Sequence, residues 1–147
     1  MPRVEIALPD DFPFETEIQV RISDTNYGGH MGNDSLLSLI HEARVRFLKV
    51  LGFSELDIDG HAIIMADSSI QYRSEAFQGE ALRFEVATTD FNKYGCDLVY
   101  RITERDSGRD VAFAKTGIVF FDYAKRRVQR IPAAFREAVA DLSSVAA

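Results

Sequence analysis

The sequence predicts an α+β domain in which one antiparallel sheet packs against one long helix. Three observations support this. A strongly apolar helical segment follows a single N-terminal strand. Four segments with strand-like alternation come after it. Turn-forming residues separate successive strands: Ser107-Gly108 favours a hairpin, and Gly79-Glu80 is a further turn signal.

Each element has its own signal. Residues 1–13 hold Pro2, Pro9 and Pro13 and read as an extended arm. Phe14, Thr16, Ile18, Val20 and Ile22 share one face of a first strand, 14–22. Residues 34–51 read as a helix with Asn33 or Asp34 as N-cap and Gly52 as the stop. Its apolar residues cover more than a narrow stripe, which predicts a largely buried helix. Strands are expected at 62–72, 81–90, 96–104 and 111–123. Pro132 opens a short C-terminal helix to about Leu142, and the remaining tail is expected to fray. With no repeat or linker, residues 1–147 read as a single domain. A sheet covered on one face leaves an edge exposed, and pairing of two sheets in a homodimer or homotetramer answers that need.

Composition narrows the function classes. Seventeen basic against twenty-three acidic residues give a net charge of −6, which argues against a nucleic-acid partner. No segment reaches membrane-spanning length and no signal segment is visible, so a cytoplasmic protein without a membrane partner is expected. The single Cys96 excludes an internal disulfide, lacks an activating partner and reads as a core residue. His30, His41 and His61 show no metal-ligand spacing, so neither a metal nor another cofactor is expected.

The chemistry concentrates in residues 24–44. Asp24-Thr25-Asn26-Tyr27-Gly28-Gly29-His30-Met31-Gly32-Asn33 joins the first strand to the helix. A helix N-terminus offers unpaired N–H groups and partial positive charge. Glycines allow close approach to the backbone. Carboxylate, amide and imidazole groups stand beside them. This combination suits polarising a carbonyl and attacking it with water.

These residues and their order resemble the hotdog-fold acyl-CoA thioesterases of the 4-hydroxybenzoyl-CoA thioesterase type. The family often carries Asp-Thr-Asp-x-x-Gly-His-x-x-Asn before its helix, matched by residues 24–33, and Glu-Ala-Arg within it, matched by Glu42-Ala43-Arg44. Further markers are Ile70-Gln71-Tyr72, Gly79-Glu80, Asp122, the basic run Lys125-Arg126-Arg127, and Pro132. The likeness spans about residues 14–137. It implies a sheet wrapped around one long central helix, and hydrolysis of an acyl-CoA to free acid and coenzyme A. One departure stands out: Asn26 occupies the position of the family's usual catalytic aspartate, and an amide is neither a general base nor a nucleophile.

Candidate residues follow, each beside a plainer reading. Asp24 is a catalytic carboxylate or an Asx-type turn with Asn26. Asn26 orients water or shapes the loop. His30 donates to the thioester carbonyl, orients a carboxylate, or braces the loop. Asn33 positions water or caps the helix. Glu42, on an apolar helix, is catalytic or ion-paired; Arg44 at i+2 does not face it. Asp67 interrupts an apolar strand and either faces the loop near residue 30 or lies exposed. Tyr27, Gly28, Gly29 and Gly32 either contact substrate or serve turns with positive φ. Arg73, Lys93 and Arg126 are candidates for the phosphates of coenzyme A, against the plainer reading as solvated surface charges. A non-hydrolytic relative, either binding an acyl thioester or acting as a hydratase, remains the alternative that Asn26 motivates.

Overall fold

Thr16, Phe84, Ile102, Ala112 and Tyr72 form one row across five antiparallel strands. Their side chains share a face because each is directly opposite the next. The computed structural model describes residues 3–146; Met1, Pro2 and Ala147, the ends of the expected arm and tail, lie outside the described residues. The strands are β1 (Phe14–Gln19), β2 (Ala62–Tyr72), β3 (Ala81–Thr89), β4 (Gly95–Glu104) and β5 (Asp110–Asp122), ordered β1-β3-β4-β5-β2. A two-residue β6 (Arg127–Val128), which the sequence pattern did not reveal, pairs with Phe121 and Asp122 of β5. It lies alongside β5 beyond the point where β4 begins at Gly95. Gly108 has positive φ in the β4–β5 turn, where a hairpin was expected, and Gly79 has positive φ in the turn between β2 and β3, which do not pair.

Two helices complete the fold: α1 (Asn33–Val50) and α2 (Ala133–Ala146). Leu36, Leu39, Ile40, Ala43, Phe47 and Leu48 of α1 share one apolar core with Ile18, Leu82, Phe84, Leu98, Tyr100, Ile102 and Phe120 of the sheet. The helix is amphipathic rather than largely buried: Leu37, Val45 and Val50 stay exposed. Helical periodicity places Val45 opposite the core stripe and Leu37 at its border, while Val50 stands on the last residue of the helix, distinctions that the raw count of apolar residues obscured. α1 ends at Leu51, and Gly52 follows with φ 90°, the left-handed stop expected of it. α2 runs past the expected end at Leu142. Its Phe135 packs on Phe53, Phe91 and Phe120. Among the described residues no helix is long and apolar enough to cross a membrane.

Two details position the site. First, β1 stops at Gln19, and Ile22–Asp24 form a 3-10 turn instead of continuing the strand. Ile22 therefore lies exposed rather than in the core. Second, β2 carries a bulge: Met65 pairs with Ile118 and Asp67 with Gly117, leaving Ala66 unpaired. Ile63 and Met65 face the core side before the bulge; Ser68, Ile70 and Tyr72 do so after it. The segment 3–13 runs extended on the outer face of the sheet. Ile6 N–H donates to Gln71 Oε1 at 3.3 Å, and Pro9, Phe12 and Pro13 approach Ala87 and Thr88 of β3.

One charged side chain sits on the buried stripe of α1. Arg44 is 8% exposed and donates to Glu55 Oε2 at 2.7 Å; His41 Nε2 lies 2.6 Å from Glu55 Oε1. Burial pushes the Glu55 carboxyl up, but its bonds to Arg44 and His41 outweigh that and leave it below the usual range. Removing one partner of such a pair strands a buried charge. Glu55→Ala is expected to lower the unfolding free energy by about 3 kcal/mol. The midpoint of urea denaturation measures this; a change below about 1 kcal/mol would count against it.

Candidate active site

The loop before α1 is closed by its own backbone. Asn26 N–H donates to His30 O at 2.9 Å, Gly29 N–H to Asn26 O at 3.0 Å, and Gly32 N–H to Asp24 O at 2.9 Å. Thr25 and Met31 form a bridge across it. The loop is then anchored outward, because Met31 N–H donates to Ala76 O at 2.7 Å. Ala76 belongs to the segment that leaves β2, where Arg73 and Ser74 N–H groups both donate to Val111 O. Two walls result. Asn26, His30, Met31, Gly32, Asn33 and Leu36 form one; Tyr72, Arg73, Ser74, Glu75, Ala76 and Val111 form the other. They enclose a cleft of about 560 Å³.

The N-terminus of α1 opens on this cleft. Its N-cap is Gly32, not Asn33 or Asp34, and no side chain caps it. Asn33 Oδ1 accepts instead from the adjacent Asp34 N–H at 3.0 Å. Tyr72 O–H donates to Asn33 O at 3.4 Å, tying the second wall to the first turn. Desolvation, with the Asp34 charge nearby, holds the Tyr72 phenol above its ordinary value. Gly32 does not have positive φ; a Cβ there would lie 2.6 Å from Asp34 Oδ1. The atom so approached is the end of a flexible side chain, and the next nearest, Asn26 Cβ, lies at 3.6 Å. Gly29 does have the left-handed φ expected of it, 84°.

His30 and Glu75 face one another across the cleft. His30 Nδ1 lies 3.3 Å from Met31 O, and its Nε2 lies 3.8 Å from Glu75 Oε1. A carbonyl only accepts, so the Met31 contact places the imidazole proton on Nδ1. Asn26 Oδ1 accepts from Gly28 N–H at 2.9 Å, so it is Asn26 that makes the Asx turn expected of Asp24. Arg73 lines the cleft, and its guanidinium lies 5.3 Å from the ring centroid of Phe113, a residue of the outer sheet face.

The other candidates lie elsewhere. Asp24 is 4% exposed and outside the cleft lining. Its Oδ2 accepts from Arg21 N–H at 2.8 Å and Nε at 3.1 Å, and its Oδ1 from Nη2 at 3.0 Å. The 3-10 turn, absent from the strand reading, rotates Asp24 inward and away from Asn26's face. Glu42 pairs with Arg46 at i+4, 2.9 Å away, and Arg46 also binds Thr16 Oγ1 and Glu17 O of β1. Asp67 points to the outer face of the sheet, not toward residue 30, because the bulge shifts its parity. It accepts from Gly117 N–H at 3.2 Å. Tyr27 stands fully exposed at the loop tip. Gly28 and Gly29 shape the loop without lining the cleft. Lys93 lies over the Tyr94 ring in the β3–β4 turn, and Arg126 takes φ 53° in the β5–β6 turn; neither lines the cleft. Cys96 is buried, its thiol pushed up to about 12 mainly by desolvation. Ser74, Glu75 and Ala76 were missed by sequence reasoning. Their signal was position: they directly follow the Ile70-Gln71-Tyr72 marker and precede the Gly79 turn.

The antiparallel sheet, the helix packed on it and the cleft at the helix N-terminus match the fold of hotdog-type thioesterases. The chain belongs to the thioesterase-like superfamily, whose model matches residues 20–139. Among solved structures it is similar to a 1,4-dihydroxy-2-naphthoyl-CoA thioesterase from Synechocystis, with 25% identity, 88% of this chain and 97% of that chain covered, and a TM-score of 0.81. A thioesterase from Thermus thermophilus, complexed with coenzyme A and Zn, shares 22% identity over 92% of this chain and 98% of that one, with a TM-score of 0.77. A DHNA-CoA thioesterase from Staphylococcus aureus shares 18% identity over 89% and 91%, with a TM-score of 0.78. No curated protein matches the chain.

Asp24 gives a test in pH. The side-chain hydrogen bond from Arg21, foremost, holds its carboxyl below the ordinary value of 3.8. A lowered native pKa contributes stability that is complete above the unfolded value and lost as pH falls through the native one. Wild-type protein is therefore expected to melt above Asp24→Asn at neutral pH, with the gap shrinking below about pH 4. A gap that stays constant into acid would remove the carboxylate's charge from the explanation.

Proposed function

We propose that the protein hydrolyses acyl-CoA thioesters in the cleft between the 26–36 and 72–76 segments. The observation that carries this is the N-terminus of α1, which opens on the cleft with Gly32 at its N-cap and so no capping side chain there. Its first-turn N–H groups and partial positive charge suit the oxyanion that forms when water adds to a thioester carbonyl. In that step the water oxygen bonds to the carbonyl carbon and the π pair moves to oxygen. Collapse re-forms the carbonyl, breaks the C–S bond and releases the thiol once it is protonated. His30 and Asn26 lie beside this position to orient water. Met31, Leu36, Ala76 and Val111 offer an apolar wall for a fatty or aromatic acyl group, and Arg73 a cation for a phosphate of coenzyme A. The coenzyme A bound by the Thermus neighbour supports that substrate class.

The assembly is inferred with the activity. β2 pairs only with β5, so one of its long edges is open, and exposed Met65 lies on this strand beside exposed Leu37 of α1. An open edge flanked by apolar side chains favours pairing with a second copy. In such a dimer, or a tetramer built from it, α1 serves as the helix around which each sheet curls. Light scattering at micromolar concentration is expected to give at least twice the chain mass of 16.5 kDa; a monomer would overturn this assembly.

Asn26 favours one competing reading, acyl-thioester binding without hydrolysis. Thiol release from a panel of aliphatic and aromatic acyl-CoAs separates the two. Gly32→Ala probes the oxyanion role, because its Cβ crowds only the movable end of Asp34. It is expected to lower kcat by roughly 10- to 100-fold with little change in melting temperature. Parallel losses in both would assign Gly32 to folding instead.

A further inference from the structure

We infer that Glu75 is the carboxylate that takes the proton from the attacking water, with His30 holding that water. This rests on the hydrolytic reading above. Of the residues that line the cleft, Glu75 alone is a carboxylate. Among the described residues its carboxylate makes no hydrogen bond, and the only basic side chain within 4.0 Å of it is His30, whose Nε2 stands 3.8 Å away. Asp24 has both oxygens occupied by Arg21, Glu42 is held by Arg46, and Asp67 lies on the outer face of the sheet. Asn26, where a carboxylate is usual, supplies none.

The geometry suits a shared water. With its proton on Nδ1 toward Met31 O, His30 presents the Nε2 lone pair to the cleft. Nε2 and Glu75 Oε1 are two acceptors 3.8 Å apart, longer than a hydrogen bond and close to the span that one water bridges with its two hydrogens. Such a water has its own lone pairs directed away from both acceptors. As its oxygen bonds to the thioester carbon, one hydrogen passes to Glu75 as H⁺, and the carbonyl π pair moves to the oxygen facing the helix N-terminus. When the C–S bond breaks, the sulfur keeps the bonding pair and takes that proton back from Glu75. Acid and thiol leave, and the carboxylate is restored with no other reactant.

Backbone anchoring keeps Glu75 in place without its side chain. Met31 N–H donates to Ala76 O next to it, and Arg109 Nη2 donates to Glu75 O at 3.0 Å. Replacing the carboxylate by an amide therefore leaves the wall intact. The test is steady-state thiol release by wild type, Glu75→Gln and Glu75→Asp, with melting temperatures measured alongside. Glu75→Gln is expected to lose roughly 10²- to 10⁴-fold in kcat, with KM within about threefold of wild type and an unchanged melting temperature. Glu75→Asp, which keeps the acid but shortens its reach, is expected to fall between them. An active wild type whose Glu75→Gln variant stays within about threefold in kcat overturns the role of Glu75 alone. A wild type that releases thiol from no acyl-CoA in the panel overturns both this role and the hydrolytic reading.

Discussion

The cleft exists because the Met31 N–H donates to the Ala76 carbonyl. That bond joins two segments that are forty-odd residues apart and belong to no common ladder. On one side it fixes the loop that delivers α1; on the other it fixes the segment that leaves β2. Each segment is stiffened separately, the first by Asp24 O with Gly32 N–H and the second by the donors to Val111 O. A site built this way is over-determined at the backbone, so its side chains are free to carry chemistry rather than support.

Asp24 shows how this loop divides its labour. Its carboxylate neutralises Arg21 and accepts the Arg21 N–H, while its carbonyl receives the helix's N-cap residue. A side chain so fully engaged stabilises the entry to α1 and does not turn toward the cleft. Asn26, two residues on, closes the turn to Gly28 through its amide oxygen and still lines the cleft. Glu75 approaches from the opposite wall, as a carboxylate that the loop itself does not need.

Much of the fold was legible because its periods are simple. Strands with period-two alternation fell within a residue or so of their observed ends, except where β1 gives way to the 3-10 turn. The loop–helix junction was legible from its glycines and polar groups. The partner wall was not, because Arg73-Ser74-Glu75-Ala76 has no periodicity and gains its place only through contacts to Met31 and Val111. Glu42 and Asp24 drew attention as isolated carboxylates, and both have arginine partners that the sequence does not single out. For Asp67 the side of the sheet depends on a bulge, and no local residue pattern announced it.

That bulge makes β2 a strand with two countings. Up to Met65 odd-numbered residues face the core; from Ser68 even-numbered ones do. Ala66 is the unpaired residue that changes the parity. Tyr72 sits beneath the first turn of α1 only because the tally restarts there. The cleft wall is thus indexed from Ala66, not from where the strand begins. Removing Ala66 would erase the bulge and leave Tyr72 opposite Ala112, whereas pairing Ala66 into the ladder would turn Tyr72 outward and Gln71 inward. Leaving one alanine out of the ladder therefore decides which half of a strand's side chains the substrate meets.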